Sequence, residues 1–181
     1  MSVAGAGARR EAWFAEMGGP RGAAFAATVL LLLQDSPVDV ANYYTGEIQG
    51  FGLFSFHGVP RKPYHTFRAF RELLDTPVRV ATAAGGPGRI TLGAGRSADG
   101  KSASVLAANF NSPDTSLSLD LQRLPWDGPT GMEVFRVDAD HDLAPVQKGE
   151  LEPGRKLVVP DLKAPSVALI KLRPARAVSN N

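Results

Sequence analysis

The 181-residue sequence contains no cysteine. Without thiols the chain forms neither a disulfide framework nor a thiolate metal site, and redox compartment cannot be inferred from cysteine usage. A strong charge of one sign is also missing, because 20 basic residues stand against 18 acidic ones and the net charge is +2. Proteins that bind nucleic acids concentrate basic residues on one surface. We therefore expect no nucleic-acid partner.

The sequence also lacks a long hydrophobic run. The most apolar stretch, AAFAATVLLLL at 23–33, covers 11 residues, whereas a membrane-spanning helix needs about 20. The N-terminus has Arg9 and Arg10 but no apolar core after them, so no secretory signal is predicted. We expect no membrane partner and, by default, a cytoplasmic location.

Motifs for phosphate, nucleophilic serine and metal chemistry are missing too. One acidic segment, Asp138-Ala139-Asp140-His141-Asp142, has a spacing reminiscent of calcium loops. An EF-hand needs glycine at its sixth position and glutamate at its twelfth, and here those positions hold Leu143 and Gly149. The segment is therefore predicted to be a turn between strands, and neither a metal nor a cofactor is expected.

The first part of the chain has a helical pattern. Residues 1–10 are small and are predicted to be disordered, and helix is predicted from Glu11 to Gln34 with a break at Gly18-Gly19-Pro20. The second helical piece is apolar nearly all round, which requires burial on more than one side. The four consecutive leucines at 30–33 need such cover.

A strand, a loop and a helix are predicted next. VDVANYY at 38–44 has the β-branched and aromatic content of a strand, and the Gly- and Pro-rich residues 45–63 form a loop. An amphipathic helix follows from about Tyr64 to Leu74, with the basic residues around it, Arg61 and Lys62 among them, predicted to be solvated. This order is that of a βα unit.

Beyond residue 88 the pattern changes to short strands separated by Gly, Pro, Asn and Asp turns. The predicted strands are 89–95, 103–110, 116–122, 132–138, 156–162 and 166–172. Strands at this spacing predict a small antiparallel β-sandwich over 89–174. The stretch 81–88 is predicted to be a linker and 175–181 a tail.

In this order the segments VDVANYYTG, GFGLFSFHGVPRKPYHTFRAFREL, EVFRVDADHD and SVALIKL resemble the C-terminal portion of family 39 glycoside hydrolases, the β-xylosidase and α-iduronidase-like group. The resemblance implies an α+β, mostly β chain. Residues 11–80 would be the terminal βα unit(s) of a (β/α)₈ barrel, and the β-sandwich would follow. A complete barrel needs roughly 250 residues, which is more than the 181 residues of this chain.

The resemblance also carries expectations about chemistry. These enzymes hydrolyse O-glycosidic bonds with retention, using two carboxylic acids about 5 Å apart. In the family the two acids lie at the ends of barrel strands four and seven, and the resemblance begins after strand seven. We therefore expect no catalytic residue in this chain and no activity from it alone. Glu11, followed by Ala12-Trp13, only weakly resembles the Glu-Trp that accompanies the family's nucleophile.

Three residues are candidates for substrate binding. Tyr43 and Tyr44 stand where the family carries an aromatic pair that supports the sugar, although its second member is usually tryptophan. Glu47, in the same loop, could hydrogen-bond a sugar hydroxyl. The alternatives are two barrel-core aromatics and a solvated carboxylate.

Two functions are therefore open. One is the C-terminal part of a xylosidase-like glycosidase, whose partners would be a carbohydrate and an upstream barrel chain. The other is a non-catalytic carbohydrate-binding or interaction module, for which an exposed Trp126 would be a platform. An isolated βα unit would leave apolar surface and strand edges uncovered, so residues 1–80 are expected to be poorly ordered or to self-associate.

Overall fold

The computed structural model describes residues 7–47, 50–83 and 88–175, and these form three layers. Helices cover one face of a six-stranded sheet, and a two-stranded sheet covers the other. The helices are α1 (Ala8–Gly18), α2 (Pro20–Leu33) and α3 (Lys62–Leu73). The strands are β1 (Val78–Val80), β2 (Thr91–Arg96), β3 (Ala103–Asn109), β4 (Leu117–Leu119), β5 (Thr130–Val137), β6 (Asp142–Leu151), β7 (Leu157–Val159) and β8 (Ser166–Pro174).

The large sheet has the order β1-β2-β3-β8-β5-β6, and every neighbouring pair is antiparallel. The small sheet is the antiparallel pair β4-β7. Side chains of a strand alternate between the two faces of its sheet. In β3, Val105 and Ala107 accordingly face the small sheet, whereas Leu106 and Ala108 face the helices. The central strands are thus buried on both sides.

Helix α2 packs on the sheet through its small side chains. Ala23, Ala24 and Ala27 are fully buried against α3 and the sheet, together with Leu31. Alanines allow a helix to lie close to its neighbours. The expectation of burial all round is only partly met, because Leu32 remains 59% exposed.

The predicted break between the first two helices is confirmed. Gly19 is extended and Pro20 opens α2, where its missing N–H costs nothing. A Cβ on Gly22 would lie 1.8 Å from the carbonyl oxygen of Met17. Glycine at position 22 therefore allows the last turn of α1 to touch the first turn of α2.

The strand predicted at 38–44 is wrong. This stretch is irregular and exposed, with Val40 at 74% and Val38 at 50% exposure. A strand requires a neighbour that accepts its backbone hydrogen bonds, and every paired strand in the described part of the chain begins at residue 78 or later. Of the predicted βα unit, the described residues therefore contain only a helix at the expected place, α3.

The six predicted strands after residue 88 are confirmed, but β1 and β6 were not predicted. Strand β6 contains Pro145, which normally argues against a strand. It lies at the sheet edge, and its register against β5 shifts where Phe135 faces Pro145. An edge strand tolerates a residue that cannot donate to the ladder, so the proline is accommodated.

The fold class is mixed α/β with mostly antiparallel sheets. Of the segments predicted to be disordered, linker or tail, residues 1–6, 84–87 and 176–181 lie outside the described residues, while 8–10 belong to α1. Helices α2 and α3 share a core with the sheet, and the boundary near residue 80 stays a prediction. No helix of the described residues is long and apolar enough to cross a membrane.

Candidate functional site

We call residues 38–61, of which 48–49 are not described, the aromatic loop. Its second half is a tight turn that leads into α3. The N–H of Ser55 donates to the carbonyl of Val59 at 2.8 Å, and Arg61 N–H donates to Leu53 at 2.9 Å. Gly58 has a φ of 74°, a region that glycine adopts without strain. The turn thereby fixes where the loop meets the helix.

Tyr43 lies against the helix that follows the loop. Its ring makes an edge contact with Phe67 of α3, at 5.1 Å between ring centres and 75° between planes. Burial raises the pKa of the Tyr43 hydroxyl, and the nearby Arg61 guanidinium partly opposes this shift. The hydroxyl therefore remains protonated at neutral pH and available as a hydrogen-bond donor.

Tyr44 lies at the outer end of a row of aromatic rings. It contacts Phe51 at 5.9 Å, and Phe51 contacts Phe14 of α1 at 4.8 Å, both edge to face. A Cβ on Gly50 would lie 2.6 Å from the Phe14 ring, so glycine allows the loop to approach α1. Tyr44 itself is 78% exposed and offers most of its ring to solvent.

Glu47 is exposed in the same loop. Its backbone N–H donates to the hydroxyl of Thr45 at 3.1 Å. The structure thus places all three predicted residues on one loop and at the surface, with Tyr43 less exposed than Tyr44. Their role in binding a sugar stays a prediction.

Arg61 has a structural role that the sequence did not reveal. Its guanidinium donates to the carbonyl of Gly50 at 2.7 Å, and its side chain fills the space over Gly18. It was predicted to be solvated, but it is half-buried and holds the loop against the end of α1. The sequence around Arg61 does not indicate that its partner is Gly50, 11 residues earlier in the chain.

The exposed ring and the carboxylate of the loop suit the binding of a sugar, whose C–H face packs on an aromatic ring while its hydroxyls seek acceptors. Hydrolysis of a glycosidic bond requires two opposed carboxyl groups.

The carboxylate of Glu16, at the end of α1, forms an ion pair with Arg21 at 2.9 Å. Across residues 7–47, 50–83 and 88–175, no group of three or more His, Asp or Glu side chains could hold a metal.

A polar contact fastens α3 to the β5–β6 turn. Lys62 Nζ lies 2.9 Å from the Asp142 carboxylate and donates to the carbonyl of His141 at 3.1 Å. His65 Nε2 is 3.7 Å from the same carboxylate. Its Nδ1 is buried and has no hydrogen-bond partner among the described residues. Burial lowers the pKa of His65, which Asp142 opposes while Arg68 and Lys62 lower it further.

This lowered pKa predicts that stability falls in mild acid. As the pH falls, the unfolded chain takes up a proton on His65 near the usual pKa of 6.5, at a higher pH than the folded chain does. The stability that neutral His65 contributes is therefore present above that pH and is lost below it. One proton changes the free energy of unfolding by at most about 1.4 kcal/mol per pH unit. Urea unfolding at pH 7.5 and 5.5 measures the loss.

His65→Gln is the matched variant, because it keeps a polar side chain and removes the titration. We expect a smaller loss of stability between the two pH values than in the wild type. His57→Gln, on the exposed turn of the aromatic loop, is the control and should retain the wild-type dependence. An unchanged loss in His65→Gln would contradict the assignment.

The acidic segment after β5 is a turn, as predicted. The Asp138 carboxylate accepts N–H bonds from Asp140 and His141, both at 2.9 Å, and contacts the His141 ring at 2.8 Å. Burial raises the pKa of Asp138, but these hydrogen bonds outweigh it and the net shift is downward. The carboxylate thus stabilises the turn.

Trp126 covers the edge of the core. Its indole N–H donates to the Thr130 hydroxyl at 3.0 Å, and its ring packs against the core between the two sheets. The side chain is half-buried. This position favours the structural alternative over a sugar-binding platform.

The sequence matches no protein-family model and no curated protein. Solved structures do resemble the fold. A glucosidase from Croceicoccus marinus aligns with a TM-score of 0.71 and 23% identity over 86% of this chain and 42% of its own. A monomeric beta-xylosidase from Caulobacter crescentus CB15 aligns with a TM-score of 0.64 and 16% identity over 88% and 42%.

A family 30 subfamily 8 xylanase, Xyn30A, from Clostridium acetobutylicum gives a TM-score of 0.64 and 14% identity over 86% of this chain and 40% of its own. The chain therefore has the fold of a part of glycoside hydrolase structures. It spans less than half the length of each of these three proteins.

Proposed function

We propose that the chain is the C-terminal part of a retaining glycoside hydrolase of the β-xylosidase-like kind, similar to family 39. In this proposal it supplies the aromatic loop as one edge of the sugar site and the sheets as a supporting sandwich. The two catalytic carboxylates come from a barrel polypeptide, so the 181 residues alone are inactive. The observation that carries the proposal is the likeness to glucosidase and xylosidase structures over 86–88% of the chain.

The aromatic loop supports this function by what it leaves uncovered. Val38, Val40 and Tyr44 are 50–78% exposed, although they lie in a short segment of strand-like composition. Large apolar side chains clustered at a surface are typical of an interface. In the proposal a barrel polypeptide covers the valines, and Tyr44 faces the sugar.

Activity on a chromogenic aryl β-xyloside tests the proposal. We expect no turnover from the purified chain alone, and turnover when it is combined with the polypeptide encoded directly upstream. The chemical reason is that one loop carboxylate cannot act both as general acid and as nucleophile across the same bond. Robust turnover by the unaided chain would overturn the proposal.

The combined enzyme also tests the loop. Tyr44→Ala should lower kcat/KM by about two- to tenfold, since a lost ring contact is worth about 0.5–1.5 kcal/mol. Phe56→Ala, an equally exposed aromatic on the adjoining turn, is the matched control and should change little. If instead no combination turns over the xyloside and the chain alone binds xylo-oligosaccharides by calorimetry, the non-catalytic binding module is the function.

A further inference from the structure

A cleft opens on the face of the large sheet that the small sheet covers only in part. It has a volume of about 960 Å³, within the range of about 300–1,000 Å³ usual for binding sites. Its floor is apolar and comes from β2, β3 and β8, with Leu92, Ala94, Val105 and Leu172 among its residues. The two strands β4 and β7 are too few to cover a six-stranded sheet, and the cleft is the uncovered remainder.

One wall of the cleft is the open edge of a strand. Strand β4 is paired only with β7. The consecutive residues 116–125 all line the cleft, and β4 is the strand within this segment. Successive residues line a cavity when the edge of the chain, rather than one face of it, borders the cavity. An unpaired edge presents N–H and C=O groups that can bind another extended chain.

The cleft is electropositive. Its lining includes four arginines and two aspartates. Arg89 pairs with Asp114 at 2.7 Å, and Arg79 pairs with Asp35 outside the cleft at 2.6 Å. The other two, Arg96 and Arg123, make no ion pair among the described residues. An occupant with carboxylates would therefore find two available guanidinium groups, which bind carboxylates well.

We propose that this cleft binds an extended strand from a partner polypeptide, with apolar and acidic side chains in alternation. The strand adds to the open edge of β4 and becomes the third strand of the small sheet. Its apolar side chains cover Leu92 and Ala94 on the floor, and its acidic side chains pair with Arg96 and Arg123. Strand addition of this kind takes its affinity from the backbone and its specificity from alternate side chains.

The lining favours a peptide over a carbohydrate. Among the described residues the cleft is lined by no aromatic side chain, so a sugar ring would find no surface for stacking. A strand of seven residues is about 23 Å long, enough to pair with the three residues of β4 and to extend along residues 120–122, which also line the cleft. The proposal is independent of glycosidase activity and concerns the opposite side of the sheet from α2 and α3.

The test uses two labelled seven-residue peptides and the full 181-residue chain. One peptide alternates valine with glutamate and the other valine with lysine. Fluorescence polarisation at low salt should show the glutamate peptide binding at least tenfold more tightly. Amide hydrogen exchange should show new protection within residues 116–122 when that peptide is bound.

Three variants locate the site. Ala94→Phe fills the floor of the cleft and should weaken binding at least tenfold. Val158→Phe, on the exposed side of β7 and outside the cleft lining, is the matched control and should bind as the wild type does. The double variant Arg96→Gln, Arg123→Gln should weaken the glutamate peptide about tenfold and bring its affinity near that of the lysine peptide. It keeps the test valid if Ala94→Phe fails to fold.

Four results would overturn the proposal. They are no binding of either peptide, equal binding of both, binding without protection of 116–122, and a dimer in sedimentation that protects the same residues without peptide. The last would assign the edge to a second copy of the chain.

Discussion

Replacing Asn109 with aspartate should destabilise the protein by about 3–5 kcal/mol at neutral pH, the usual cost of an uncompensated buried charge. Asn109 is fully buried at the end of β3. Its amide nitrogen donates to the carbonyls of Asp114 at 2.9 Å and Leu162 at 2.7 Å, while its oxygen accepts the N–H of Ser112 at 2.9 Å. A carboxylate has no proton to donate and would face two carbonyl oxygens at contact distance.

The pH dependence of this variant distinguishes its cause. The folded protein would raise the pKa of the new carboxyl above the unfolded value of about 3.9. The loss in free energy of unfolding is therefore complete above that raised pKa. It shrinks as the pH falls through that pKa, because the protonated acid can donate one hydrogen bond. Urea unfolding followed by circular dichroism at pH 7 and pH 4.5, each compared with the wild type, measures both effects.

Asn111→Asp is the control for this substitution. Asn111 is exposed in the same loop, so the added charge remains in water and the free energy of unfolding should stay within about 0.5 kcal/mol of the wild type. If Asn109→Asp lowered the free energy of unfolding at neutral pH no more than its control does, the three hydrogen bonds of Asn109 would not stabilise the fold as the structure indicates.

Gly95→Ala is the second large effect, with an expected loss of about 3 kcal/mol from overpacking. An added Cβ at Gly95 would lie 2.0 Å from the carbonyl oxygen of Thr76. The backbone at Thr76 cannot easily move, because its N–H and its hydroxyl both donate to Leu73 O at the end of α3. The strand and the helix end would have to separate.

Gly93→Ala is a close match for comparison. It lies two residues away on the same strand and the same face, but the one atom its Cβ would approach too closely is the Cδ2 methyl of Leu31, at 2.5 Å. A flexible side-chain end moves at little cost, and alanine restricts the unfolded chain equally at both positions. Thermal unfolding should show Gly95→Ala about 6–12 °C below the wild type and Gly93→Ala within about 3 °C of it. Equal effects would contradict the contact with Thr76.

Local pattern predicted most of this fold because most strands carry their own signals. SLSLDLQ and SVALIKL alternate, and Gly- or Pro-containing turns bound them, so β4 and β8 were found. VDVANYY has an equally strong strand composition but no partner edge, and pairing is a property of two segments. Strand β6 shows the converse, since an edge position and a register shift make room for Pro145.

The candidate site could be predicted only as far as a family resemblance extends. Tyr43, Tyr44 and Glu47 were found through their place in VDVANYYTGE, and the structure confirms only that they share a loop. Arg61 and Lys62 read as surface charges because their partners, Gly50 and Asp142, become neighbours only when the chain folds. The cleft beside β4 has no sequence signal at all, since it reflects how few strands lie opposite the large sheet.

The position of β8 has a consequence for synthesis. Of the strands in the large sheet it is the last to be translated, yet it lies between β3 and β5 and is hydrogen-bonded to both. Until Ser166–Pro174 leaves the ribosome, the nascent chain holds two separate β pieces whose inner edges are bare. The large sheet can therefore close only once this strand has emerged. Until then its bare inner edges remain accessible to chaperones.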